Sequence, residues 1–176
     1  GTGWRTRVRL HAADDGTVGP YAARSHRVIR VTDLPLATTE VEAAAPLDGP
    51  SGGPSTGHSG GPFTGHVDIV GPSTGPVLVL SDDRELPPIT ERVGDREFRL
   101  DARGFWQVHE GAAMALTRAV QDAILPSLFD PDAPNLDLYG GVGLLAAAVS
   151  DHFGTTSAGN ASTGLSTGVR MTSVES

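Results

Sequence analysis

The chain has 176 residues, no cysteine and a formal net charge of −8. The missing thiols exclude disulfides, thiolate metal sites and cysteine nucleophiles from these residues, and the charge argues against broad affinity for nucleic acid. No apolar run is long enough to span a membrane and no signal-peptide pattern opens the chain, so a cytoplasmic location is the expectation.

The charge is unevenly spread. All basic residues are arginine, and Arg5, Arg7, Arg9, Arg24, Arg27 and Arg30 crowd the first thirty positions against Asp14 and Asp15 alone. Trp4 to Leu10 alternates, with Trp4, Thr6, Val8 and Leu10 on one face and Arg5, Arg7 and Arg9 on the other, which predicts a half-buried strand. Two readings stand for the arginine face: contact with RNA, or plain solvation. Asp14-Asp15-Gly16 signals a turn, and a second strand is expected over about Arg27 to Val31, paired with the first. Ala37 to Ala45 has helical composition and Pro46 stops it.

Residues 48–65 fall in a Gly-, Pro- and Ser-rich run in which Pro-Ser-Thr-Gly-His recurs as Pro-Phe-Thr-Gly-His. A flexible loop is expected there. The Gly57-His58-Ser59-Gly60-Gly61 match to a hydrolase elbow lacks the strand and helix that motif needs, and His58 and His66 have no carboxylate or thiolate spaced for a metal. Val67 to Val70 and Val77 to Leu80 read as strands joined by a Gly-Pro-Ser-Thr-Gly-Pro turn. Ile89 to Val93 and Glu97 to Leu100 flank Gly94-Asp95 as a hairpin.

The character changes after Arg103. Glu110 to Leu125 reads as a helix with Leu116, Val120 and Ile124 as core positions, ended by Pro126. Leu136 and Leu138 then lie on a short strand that feeds a glycine turn, Gly140, Gly141 and Gly143, and a small-residue helix from Leu144 to about Phe153. Strand, glycine turn and helix build a nucleotide-shaped pocket, with the helix N-terminus offering free N–H groups. Asp137 inside the strand favours a cationic ligand such as S-adenosylmethionine over a pyrophosphate. Gly141-x-Gly143-x-x-Ala146 also satisfies the nicotinamide dinucleotide fingerprint. A second flexible run, 154–168, leads to a last strand, Val169 to Val174. A doubly wound sheet needs about five parallel strands, and only two are legible.

Three segments, in order, resemble the RNA 5-methyluridine methyltransferase family. Gly104-Phe-Trp-Gln-Val-His109 is similar to the family's Phe-Phe-Gln-Val-Asn element. Leu136-Asp-Leu-Tyr-Gly-Gly-Val-Gly143 resembles its Leu-Asp-Leu-Tyr-Cys-Gly-Val-Gly, and Val174-Glu175 its strand-ending Val-Glu. The Trp-Arg-x-Arg-x-Arg-Leu strand and Ile29 to Leu36 are similar to its β-rich central domain. The resemblance implies an α/β fold in which a β-rich, RNA-binding central domain over 1–103 precedes the leading part of a Rossmann-like methyltransferase domain over 104–176, incomplete here. It implies S-adenosylmethionine as cofactor, held by Gln107, Asp137, Tyr139, Gly141, Gly143 and Glu175, with Glu175 on the ribose hydroxyls. It implies RNA, tRNA or rRNA, as partner, and methyl transfer to carbon 5 of a uridine.

That chemistry uses a cysteine thiolate on carbon 6 and a glutamate base. This chain supplies neither and is expected to be inactive alone. His109 stands where asparagine is usual, Gly140 replaces a cysteine, and Leu144 sits where some members carry a cofactor-contacting asparagine. The span from Gly143 to Glu175 exceeds the roughly twenty residues usual between turn and acid. Two rival classes stay open: a non-catalytic truncated remnant, and a dinucleotide-dependent oxidoreductase.

Overall fold

A computed structural model describes residues 1–47, 63, 65–81, 86, 88–154 and 169–174, with the side chains of 154, 173 and 174 left out. The expected loop at 48–65 therefore falls almost wholly outside the described residues, as do 155–168 and Glu175. The chain divides into two units, Gly1–Glu110 and Gly111–Ser176.

The first unit is built on a four-stranded antiparallel sheet. Its strands are β1 (Arg7–Ala12), β2 (Val18–Gly19), β3 (His66–Val70) and β4 (Leu78–Leu80), in the order β2-β1-β3-β4. Alternation decides its faces. Leu10, Val67 and Ile69 are fully buried on one side, with Val8 beside them, while Arg9 pairs with Asp68 and His11 with His66 in register on the other. The short helix α1 (Thr39–Ala44) closes the core by burying Val41 against Val18, Val67 and Ile69. Thr38 caps it, accepting from the Val41 N–H, and Pro46 follows its end.

The strand expected over Arg27 to Val31 is not the neighbour of β1. The Asp14-Asp15-Gly16 turn brings the chain back at once, with Ala13 N–H donating to Thr17 O at 2.8 Å. The first returning residues, Val18 and Gly19, therefore occupy the sheet edge. Residues 20–29 form a separate small hairpin instead, bridged at Tyr21 and Val28. It lies so close that a Cβ on Gly19 would stand 1.9 Å from the Ile29 carbonyl oxygen, an approach only glycine allows.

The β5–β6 hairpin, β5 (Ile89–Val93) and β6 (Arg96–Leu100), turns at Gly94-Asp95 as its sequence predicts. Phe98 packs on Trp106 with ring centroids 5.5 Å apart. Its interior face carries Glu91, buried and ion-paired with Arg7 at 3.0 Å. The Arg7 guanidinium also donates to the carbonyls of Ala102 and Gly104. Of the three arginines expected on an outer face, Arg7 is thus interior, because the 102–104 segment and β5 cover it.

In the second unit, α2 (Ala112–Ala123) packs on α3 (Leu144–Gly154), where Gln121 Nε2 donates to the Ala148 carbonyl at 3.1 Å. β7 (Asn135–Leu138) and β8 (Met171–Val174) pair in parallel on either side of α3 in sequence. Leu116, expected in the core, is exposed, and Val120 and Ile124 are only half-buried. Ile124 lies past the helix as its C-cap. Parallel strands are ordinarily covered on both faces. Among the described residues β7 has one partner strand, and Leu136 and Leu138 are 61% and 62% exposed.

Candidate functional site

The turn between β7 and α3 carries most of the expected cofactor residues. Three of its residues lie in the left-handed region: Tyr139 at φ 58°, Gly141 at 54° and Gly143 at 78°. The two glycines adopt this without strain, and open space lies where their Cβ atoms would be. Tyrosine does not. Left-handed backbone costs an ordinary L-residue roughly 1–2 kcal/mol, and such strain concentrates at ligand sites. The Tyr139 ring is 80% exposed. Gly143 N–H donates to Gly140 O at 2.8 Å and closes the turn into the first residue of α3. The first N–H groups of such a helix have no partner within the helix.

Asp137 sits two residues before this bend, with Leu138 between. Its Oδ2 is buried and has no hydrogen-bond partner among the described residues. A buried carboxylate oxygen left unpaired is costly, and a cationic or hydroxyl-bearing ligand would satisfy it. Asp137, Tyr139, Gly141 and Gly143 therefore lie together within seven residues, as the strand–turn–helix reading requires.

Gln107 belongs to the first unit. Its segment runs antiparallel beside the N-terminal residues: Thr6 N–H donates to Val108 O at 2.8 Å and Glu110 N–H to Trp4 O at 3.1 Å. Trp4 stacks on His109, ring centroids 5.3 Å apart. The Gln107 side chain is half-buried. Phe105, two residues earlier, is 81% exposed and borders a groove of about 260 Å³ with Arg7, Arg9, Asp68 and Trp106. Glu175 lies outside the described residues.

Sequence reasoning missed two features. One is the Arg7–Glu91 pair, whose partners are 84 positions apart; no local pattern announces it. The other is a stack of rings on the outer side of the sheet, His11 on Tyr21 and Tyr21 against His26. Burial, chiefly, together with neighbouring His66 and Arg9, holds the His11 imidazole below its ordinary pKa. Among the described residues no cluster of His, Asp or Glu is arranged to hold a metal ion, and no helix is long and apolar enough to cross a membrane.

Comparison with known proteins places these observations. No protein-family model matches the chain. A protein of Streptomyces coelicolor named an uncharacterized RNA methyltransferase is 33% identical over 175 residues, covering 86% of this chain and 37% of that protein. One from Bifidobacterium longum, named in the same way, is 28% identical over 157 residues, covering 82% and 36%. The resemblance to the RNA 5-methyluridine methyltransferases is borne out. The chain spans about a third of the length of these two RNA methyltransferases. A Streptomyces avermitilis RNA methyltransferase matches a shorter stretch, 46% identical over 66 residues. Among solved structures, the Pyrococcus abyssi tRNA (uracil-54, C5)-methyltransferase in complex with S-adenosyl-L-homocysteine superposes with a TM-score of 0.60 at 14% identity. It covers 85% of this chain and 47% of that one, and shows a shared mixed α/β fold.

Proposed function

We propose that this stretch is the RNA-engaging and leading cofactor-binding part of a cytoplasmic enzyme that methylates carbon 5 of a uridine in tRNA or rRNA. The observation that carries the reading is the Tyr139–Gly143 bend: left-handed backbone at three positions, two residues after a carboxylate whose buried oxygen has no partner among the described residues. S-adenosylmethionine fits that chemistry. Its charged amino group answers Asp137, its flat base answers the exposed Tyr139 ring, and the bare glycines admit close approach. When bound, it supplies an electrophilic methyl group. Gln107 and Glu175 join this proposal through the resemblance. The absence of cysteine from all 176 residues confines the proposal for this chain to holding cofactor and RNA; the thiolate step has no residue here. Relatives named as RNA methyltransferases and a fold shared with a tRNA uracil methyltransferase support the substrate class. Of the arginines on β1 and its lead-in, Arg5 and Arg9 remain as RNA contacts in this proposal, since Arg7 is engaged inside; Arg9 would meet RNA as the exposed half of its pair with Asp68.

Isothermal titration with S-adenosylhomocysteine and with a nicotinamide dinucleotide tests it. Binding of the first alone, weakened about ten-fold or more by Asp137→Ala, is the expected result. Binding of the dinucleotide alone would make the chain part of an oxidoreductase. Binding of neither would mark a remnant without a working pocket.

A further inference from the structure

The small hairpin over residues 20–29 carries chemistry that neither the cofactor turn nor the sheet core uses. Its backbone closes through Ile29 N–H to Pro20 O at 2.9 Å, Ala22 N–H to Arg27 O at 2.9 Å, and Ser25 N–H to Ala22 O at 3.1 Å. Arg24 stands at the tip with φ 56°. A glycine or asparagine would be at ease there, whereas arginine is strained. Arg24 and Arg27 are exposed and have no ion-pair partner among the described residues. They differ in this from Arg9, which Asp68 neutralises through two hydrogen bonds of 2.6 and 2.8 Å.

Beside these charges lies a preformed aromatic platform. His11 and Tyr21 stack almost parallel, with centroids 3.5 Å apart and planes 9° apart, and His26 meets Tyr21 edge-on at 5.4 Å. The rings are built on the outer side of the sheet, not in its core: Tyr21 and His26 are exposed. His11 is held from both sides by β-pairing, to Gly19 and to His66, so Tyr21 rests on a rigid support.

We propose that this hairpin is a contact surface for single-stranded RNA, with Arg24 and Arg27 on phosphates and Tyr21, backed by His11, under a base. It rests on the RNA-methyltransferase reading for its polyanion, though not on the cofactor turn. Bases stack on exposed aromatic rings irrespective of sequence, and arginines track the backbone beside them. Exposed arginines alone would be an ordinary solvated face. Here they are concentrated in the first thirty residues of a chain with net charge −8, one of them is held on strained backbone, and rings that elsewhere would fill a core lie outside it.

The test is fluorescence anisotropy of the full chain with a labelled short oligouridylate over a range of salt. Arg24→Gly with Arg27→Ala removes both charges while relaxing the turn, so misfolding does not explain a loss. About ten-fold weaker binding is expected, with the salt slope flattened by about 1.4, or about 0.7 for each phosphate contact on a single strand. Tyr21→Leu should weaken binding about five-fold or more. Arg118→Ala, an exposed charge on α2, should leave affinity and slope unchanged. Wild-type chain that fails to bind the oligouridylate overturns the proposal. So does a double variant that binds like wild type, or an Arg118 variant that loses as much affinity per charge. S-adenosylhomocysteine titration of the same double variant separates the two readings, since a lost hairpin contact leaves cofactor affinity in place and a failed cofactor turn leaves the hairpin effect in place.

Discussion

Arg7→Met offers the sharpest energetic test of the first unit. The Arg7 and Glu91 side chains are 11% and 4% exposed, so solvent screens their pairing little. Methionine keeps most of the length and removes three hydrogen bonds: one to Glu91 and one each to the carbonyls of Ala102 and Gly104. Among the described residues Glu91 would then be a buried carboxylate with a single remaining donor, the Ser73 N–H at 2.9 Å. Breaking a buried pair in this way costs about 3–5 kcal/mol, a large share of a total stability of roughly 5–15 kcal/mol. With a urea m-value of about 2 kcal/mol/M, the midpoint should fall by about 2 M. Both tryptophans, Trp4 and Trp106, lie in the first unit, so intrinsic fluorescence follows its unfolding without signal from the second. The double variant Arg7→Met, Glu91→Met should recover most of the loss, since no charge is left stranded. The pair also carries a wild-type cost, because the buried Arg7 Nε has no hydrogen-bond partner among the described residues. A single variant that loses under about 1 kcal/mol, or a double variant that loses the sum of both singles, would refute the reasoning.

Gly19→Ala should destabilise the first unit by about 3 kcal/mol or more, because the obstructing atom is backbone and cannot swing away; a urea midpoint within error of wild type would contradict the close approach. Gly143→Ala meets no neighbouring atom but must adopt left-handed backbone, so a loss of about 1–2 kcal/mol should appear as faster hydrogen exchange in α3. Tyr139→Gly should have the opposite sign, a gain of about 0.5 kcal/mol as relieved strain outweighs added chain entropy, together with weaker S-adenosylhomocysteine binding; unchanged affinity would remove Tyr139 from the site. The pKa of His11 is lowered in the folded chain, so the unfolded chain binds its proton first. Stability is full above the unfolded value of about 6.5 and falls as pH drops below it toward the folded value. Thermal melts at stepped pH should show this slope reduced in His11→Gln, and an identical slope in the variant would show that His11 does not carry it.

Local pattern was enough for what depends on neighbours in sequence. The alternation through Val8 and Leu10, the Pro46 stop after α1, the Gly94 turn between β5 and β6, and the strand–turn–helix at Leu136 to Leu144 all express short-range sterics and periodicity. The closeness of Asp137, Tyr139, Gly141 and Gly143 was legible for the same reason, because they fall within seven consecutive residues of that strand–turn–helix. Long-range partnership was not legible. Nothing near Arg7 indicates a glutamate 84 positions away, and period-two alternation puts an arginine outside unless a distant segment covers it. Helical periodicity likewise marked Leu116 as core, but periodicity names a face and not what covers it.

What the residues alone determined is the identity of the bend: glycines at Gly141 and Gly143 permit a backbone that side-chain-bearing residues resist, and an acid precedes them. What tertiary structure decided is which charges are occupied. Arg7 is drawn inside by Glu91, Arg9 is matched by Asp68, and Arg24 and Arg27 are left outward beside a stacked Tyr21. Coulomb and hydrogen-bond partners are set by proximity in space, and that proximity exists only once the sheet has closed.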